Sequence, residues 1–158
     1  MKIPVPLGLT IIAITVIVVW RIYQRKIQRI NQMPDIPQTI PFEGFKVPVL
    51  ATFTGQRGSR RQYFKSHNNL NPSLILFEDR LECRVILQRA ILLAEIENVD
   101  IRDTFATRNL QVYVKGKESL FSANLFNRSN LAQVLSFLKN RGVLLSSRAK
   151  DFLSTNST

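Results

Sequence analysis

The chain reads as an α+β protein: an apolar N-terminal helix, then a small antiparallel β-barrel or sandwich closed by one C-terminal amphipathic helix. Three observations predict this. Residues Ile3 to Trp20 hold no charged side chain and end against Arg21, Arg25, Lys26 and Arg29. Beyond Val47, apolar residues recur at alternate positions in short runs, the period of strands with one buried face. From Asn127 to Gly142 the spacing turns helical, with Leu131, Val134, Leu135 and Leu138 on one stripe.

The first run is expected to be a transmembrane anchor over residues 1–30. Eighteen helical residues cover ~27 Å, close to the ~30 Å hydrocarbon thickness of a bilayer. Basic residues gather on the cytoplasmic side of such helices, so the N-terminus is expected outside and the remainder in the cytoplasm. Trp20 and Tyr23 fall at headgroup level, flanked by Arg21, Arg25, Lys26 and Arg29. A cleaved signal peptide is opposed by the length of the run, the missing small-x-small cleavage pattern and the basic residues that follow.

Prolines at 34, 37, 41 and 48 stop the helix, and residues 31–46 are expected to form a short, semi-rigid tether. The β domain follows over 47–143. Its expected strands are VPVLATFT, SLILF, LECRVIL, AILLAEIENVDI, NLQVYV and SLFSANLF. Short turns between them favour an antiparallel meander over parallel crossovers. In the closing helix Asn127 or Ser129 can cap the start, Lys139 and Arg141 complement the last turn, and Gly142 suits a left-handed stop. Residues 144–158 read as a polar tail.

The net charge of +11 is unevenly placed. Ten basic residues face only Asp35 and Glu43 before His67, whereas twelve face nine acids from there on. Attraction to an anionic leaflet accounts for that bias more simply than nucleic acid does, and no nucleic-acid partner is expected. The single cysteine, Cys83, excludes an intrachain disulfide and sits among Leu81, Val85 and Leu87 as a small core hydrophobe. The single histidine, His67, has no Cys or His at ligand spacing, so no metal is expected. No phosphate-cradling, dinucleotide or nucleophile-elbow motif occurs, and no cofactor is expected. Glu95, Glu97, Asp100 and Asp103 read as the solvated face of a strand.

The order of strands closed by one helix resembles a pleckstrin-homology-like domain. SLILFEDRLECRVILQRAILLAEIENVDI is similar to the middle of bacterial members and of GRAM-type domains, with Ile96 and Val99 at their "I-x-x-V" turn. NLFNRSNLAQVLSFLKNRG is similar to their closing helix. The resemblance covers roughly Val47 to Val143 and implies a partly open barrel plugged by the helix. It further implies that a basic loop after the first strand can bind anionic lipid headgroups; Arg57, Arg60, Arg61 and Lys65 lie in the matching loop, which lacks a tightly spaced Lys-x-Arg ending.

These readings give two functional expectations. One is a non-enzymatic adaptor anchored in the bilayer, an accessory subunit or assembly factor of a membrane protein complex. The other is a module that senses anionic lipid or phosphate through the loop 55–65.

Overall fold

The computed structural model describes residues 5–56, 66–104, 107–125 and 127–156. Helix α1 (Val5–Asn31) comes first. Four strands, β1 (Phe45–Val47), β4 (Ser73–Leu76), β5 (Arg80–Arg84) and β6 (Gln88–Leu92), form one antiparallel sheet in the order β1-β4-β5-β6. Five more form a second: β2 (Ala51–Gln56), β3 (Ser66–Asn68), β7 (Ile96–Thr104), β8 (Thr107–Val114) and β9 (Ser119–Leu125), in the order β3-β2-β9-β8-β7. Helices α2 (Arg128–Asn140) and α3 (Ser147–Asn156) end the chain.

The anchor expectation is corrected first. The side chains of α1 from Leu9 to Tyr23 are exposed, including Trp20 and Tyr23, as are those of Arg21 and Arg25. Among the described residues no helix is long and apolar enough to cross a membrane. The single-pass topology, the outward N-terminus and the cytoplasmic placement lose their warrant with it. So do the bilayer and a membrane complex as partners. The side chains of Lys26 and Arg29 lie outside the described residues.

Closure of the strands into a barrel is the second correction. The two sheets stay open, with no strand pair joining one to the other among the described residues. VPVLATFT is the physical reason at one corner. It was expected as one strand, but Pro48 lacks the N–H a ladder needs. Val47 therefore ends β1 in the first sheet, and the chain crosses over to begin β2 at Ala51 in the second. The two sheets share one core, with Leu74, Leu76 and Leu81 from one and Leu110, Val112 and Phe121 from the other. The Thr52 hydroxyl of β2 donates to the Arg84 carbonyl of β5 at 2.5 Å, tying the layers together.

Helix α2 lays Leu131, Val134, Leu135 and Leu138 on this core, all fully buried. Asn127 is its cap, accepting from the Ser129 N–H at 2.8 Å, and Gly142 follows with a left-handed φ of 79°. A single closing helix was expected, and the structure adds α3. It buries Ala149 and Leu153, and its lead-in residues run beside β7: the Val99 N–H donates to the Leu144 carbonyl at 2.8 Å, and the Ser146 N–H to the Val99 carbonyl at 2.9 Å.

The proline-rich segment lies along α2. Gln133 donates to Asp35 at 2.8 Å and accepts from the Ile36 N–H at 3.0 Å. Ile40 is buried in the core, and its N–H donates to Glu78 at 2.5 Å. Arg141 closes the clamp, pairing with Glu78 at 2.5 Å, donating to the Gln38 carbonyl at 3.2 Å and stacking 3.7 Å from the Phe137 ring. The Ile40 N–H first, and Arg141 second, hold the Glu78 carboxyl below its ordinary pKa. The clamp is therefore lost as the pH falls through that lowered value, below the pH at which an ordinary glutamate is protonated.

Gly44 turns this segment into β1 with φ 81°, its N–H donating to the Pro41 carbonyl at 2.8 Å. A Cβ there would lie 2.6 Å from Ile75 Cγ2 and 2.7 Å from the Phe77 ring. Left-handed backbone costs an L-residue ~1–2 kcal/mol, and crowding adds ~1–3 kcal/mol. Gly44→Ala is expected to destabilise the fold by about 2–5 kcal/mol in urea unfolding. Gly142→Ala, whose Cβ meets nothing within 4 Å, is expected to cost only ~1–2 kcal/mol of backbone strain. Equal midpoints for the two variants would contradict this packing.

Candidate ligand cavity at the open corner

The failure of the sheets to close leaves a cavity of about 400 Å³ where β6 faces β2 and β9. Its volume falls in the ~300–1,000 Å³ range of small-ligand sites. One wall is β5, β6 and the turn between them, presenting Cys83, Val85, Arg89 and Ile91. The other is Thr54 and Gly55 of β2 with Leu120 and Phe121 of β9. Val114 and Lys117 border it at the β8–β9 turn. Cys83, Val85 and Phe121 also belong to the core, so the cavity is the core's open edge rather than a separate groove.

Strand register explains its charge. Leu81 pairs with Ile91 and Cys83 with Arg89 across β5 and β6, and residues directly opposite share a face of a sheet. Leu81 and Cys83 point into the core. Arg89 therefore occupies an inward position, yet it is exposed because the sheets part there. Among the described residues no acid pairs with it. Arg89 and Lys117 are the charged residues of the described lining, which holds no carboxylate. Burial pushes the Cys83 thiol up to about 12, with the Arg89 guanidinium pulling the other way. A thiol held protonated is a poor nucleophile, so what this corner offers chemically is an apolar socket with cations at its rim.

The residues expected to bind anions do not enter this picture. Arg57, Arg60, Arg61 and Lys65 lie outside the described residues. His67 is exposed on β3, and among the described residues no group of three His, Cys, Asp or Glu side chains could hold a metal. The acids of β7 and the turn before it divide: Glu95 and Asp103 are exposed, but Asp100 is buried and not part of a solvated face. It accepts from the Ser146 hydroxyl at 2.5 Å, from the Ile101 N–H at 2.8 Å and from Arg148. A second cleft, between the proline-rich segment and α2, is lined by Asp35, Gln133, Glu78 and Arg141, whose polar groups already satisfy one another.

Arg89 was missed in the sequence because its signal is indirect. Continuing the inward positions 81, 83 and 85 through the VILQ turn assigns 89 and 91 to the same face, which makes Arg89 a charge in a core phase.

No family model and no curated protein matches this sequence. The resemblance to pleckstrin-homology-like domains is corrected accordingly: no family match supports it and the sheets do not close. The roles it implied, lipid-headgroup sensing through the loop 55–65 among them, are withdrawn, as is the adaptor role that rested on the anchor.

Proposed function

We propose that the chain is a binding module, without catalysis of its own, whose site is the open-corner cavity and whose ligand is an apolar group bearing a carboxylate. The carrying observation is Arg89, a cation in a core-facing register position with no acid paired to it among the described residues. Arg89 is exposed and solvated by water at the mouth of the cavity, and a carboxylate entering with an apolar group replaces that water with charge-assisted hydrogen bonds. Lys117 at the rim adds to the same field. The protonated Cys83 thiol favours binding over covalent chemistry here.

Titrating the full-length protein with octanoate and octanol tests this reading. Octanoate is expected to bind about tenfold or more tightly than octanol, and Arg89→Glu to weaken octanoate by about 10- to 100-fold while leaving octanol nearly unchanged. These figures follow from a charge-assisted hydrogen bond worth ~1.5–3 kcal/mol. Equal binding of acid and alcohol, or indifference of octanoate to Arg89→Glu, would falsify the assignment.

A further inference from the structure

Among the described strands β6 is the edge of its sheet, and the ladder shows which of its backbone groups β5 leaves unused. The Leu93 N–H donates to the Asp79 carbonyl at 2.8 Å, and on the other side of β5 the Phe77 N–H donates to the Arg80 carbonyl at 2.9 Å. Hydrogen-bonded and non-bonded pairs alternate along an antiparallel ladder. Leu81↔Ile91 and Cys83↔Arg89 are therefore bonded pairs, and Gln88, Ala90 and Leu92 turn their N–H and C=O groups toward the free edge. Sheet edges are commonly shielded by proline, lysine, an inward-pointing charge or a bulge. The sequence QRAIL of β6 has no proline or lysine and pairs with β5 without a register shift, so Arg89, in its inward register position, is the one charge that guards this edge. Beside this edge lies the cavity, with Ile86 and Leu87 exposed at 72% and 70% on the preceding turn.

We infer that β6 takes an extended peptide as an added antiparallel strand, with a carboxylate-bearing apolar end of that peptide seated in the cavity. This rests on the cavity reading above and names the partner for the same site. An added strand opposite β6 presents alternate side chains to the face that carries Arg89 and Ile91, so one apolar side chain enters between the sheets. Arg89 sets what the edge admits. A second copy of this chain pairing edge to edge in the register centred on Arg89 would bring two guanidinium groups together, and like charges opposite one another destabilise a strand pair. A peptide bringing a carboxylate has the complementary charge. That carboxylate is either the chain terminus or an acidic side chain.

The test uses the full-length protein and the fluorescein-labelled hexapeptide Gly-Ser-Thr-Val-Thr-Val, read by fluorescence anisotropy. Four companions accompany it: its C-terminal amide, the amide with glutamate at the fifth position, and two free acids N-methylated at alternate backbone amides. The free acid is expected to bind at least tenfold more tightly than the plain amide, and one of the N-methylated pair to lose binding at least tenfold. Recovery by the glutamate-bearing amide assigns the carboxylate to a side chain, and its failure to recover assigns it to the chain end. Leu92→Pro is the matching change in the protein. Leu92 has φ −64°, which proline adopts without strain, and its N–H is not used by β5. This variant is expected to lose peptide affinity at least tenfold while octanoate binding stays as it was. A peptide indifferent to N-methylation at both positions and to Leu92→Pro, or absent peptide binding alongside normal octanoate binding, overturns strand addition and leaves the cavity reading in place. Loss of both ligands overturns both.

Discussion

In a native sample at pH 8, Cys83 is expected to react with a small charged disulfide reagent about a thousand times more slowly than in the chain unfolded by urea. The thiolate is the reacting species. An ordinary thiol near 9 is about one-tenth ionised at that pH, whereas one held at about 12 is ionised in roughly one molecule in ten thousand. The cause is burial between β5 and the second sheet, only partly offset by Arg89. The same shift has a thermodynamic consequence. Between about pH 9 and 12 the folded chain keeps this proton and the unfolded chain sheds it, so stability falls as pH rises through that window. The slope approaches ~1.4 kcal/mol per pH unit from this group alone. Cys83→Ala removes that component, and the difference between the two stability-against-pH curves isolates it. Native and unfolded rates within tenfold of each other would show the thiol open to solvent and the cavity wall misplaced.

The largest loss of stability from a polar side chain is expected at Asp100. Its carboxylate takes the Ser146 hydroxyl, the Ile101 N–H and Arg148. Ser146 in turn accepts from the Ala149 N–H at 3.1 Å, capping α3. Truncation to alanine unseats this cap and strands buried donors, each costing ~1–3 kcal/mol. Asp100→Ala is expected to lose about 2–4 kcal/mol and to expose the α3 amides to hydrogen exchange ahead of the sheets. Arg148 is 65% exposed and regains water when its partner goes, so Arg148→Ala is expected to cost under about 1 kcal/mol. Chemical denaturation of both variants decides the matter. A larger loss at Arg148 than at Asp100 would mean the salt bridge, not the cap, holds α3.

What the sequence revealed follows from how local each signal is. The stripe of α2, its Asn127 cap and its Gly142 stop all lie within a few residues of one another and read directly. Alternation likewise exposes β5, β8 and β9, whose inward positions are unbroken. β3 escaped because its three residues, Ser66 to Asn68, carry no apolar pattern. α3 escaped because it buries only Ala149 and Leu153 of its ten residues, too few to show a period. The division of VPVLATFT between two sheets depends on long-range pairing with β4 and β9, which no short window contains. The cavity lies at the other edge of the first sheet from β1, where β6 faces β2 and β9, and Arg89 acquires its meaning only from the register with Cys83.

The location of the site is best tested by methyl-resolved NMR of the full-length protein titrated with octanoate. Shifts are expected at Val85, Ile91, Val114 and Leu120, with Leu131, Leu135 and Leu153 of the helical layer unmoved. Perturbations confined to the cleft beside Gln133 and Arg141, or no saturable change at the methyl groups of those four cavity residues, would contradict the account.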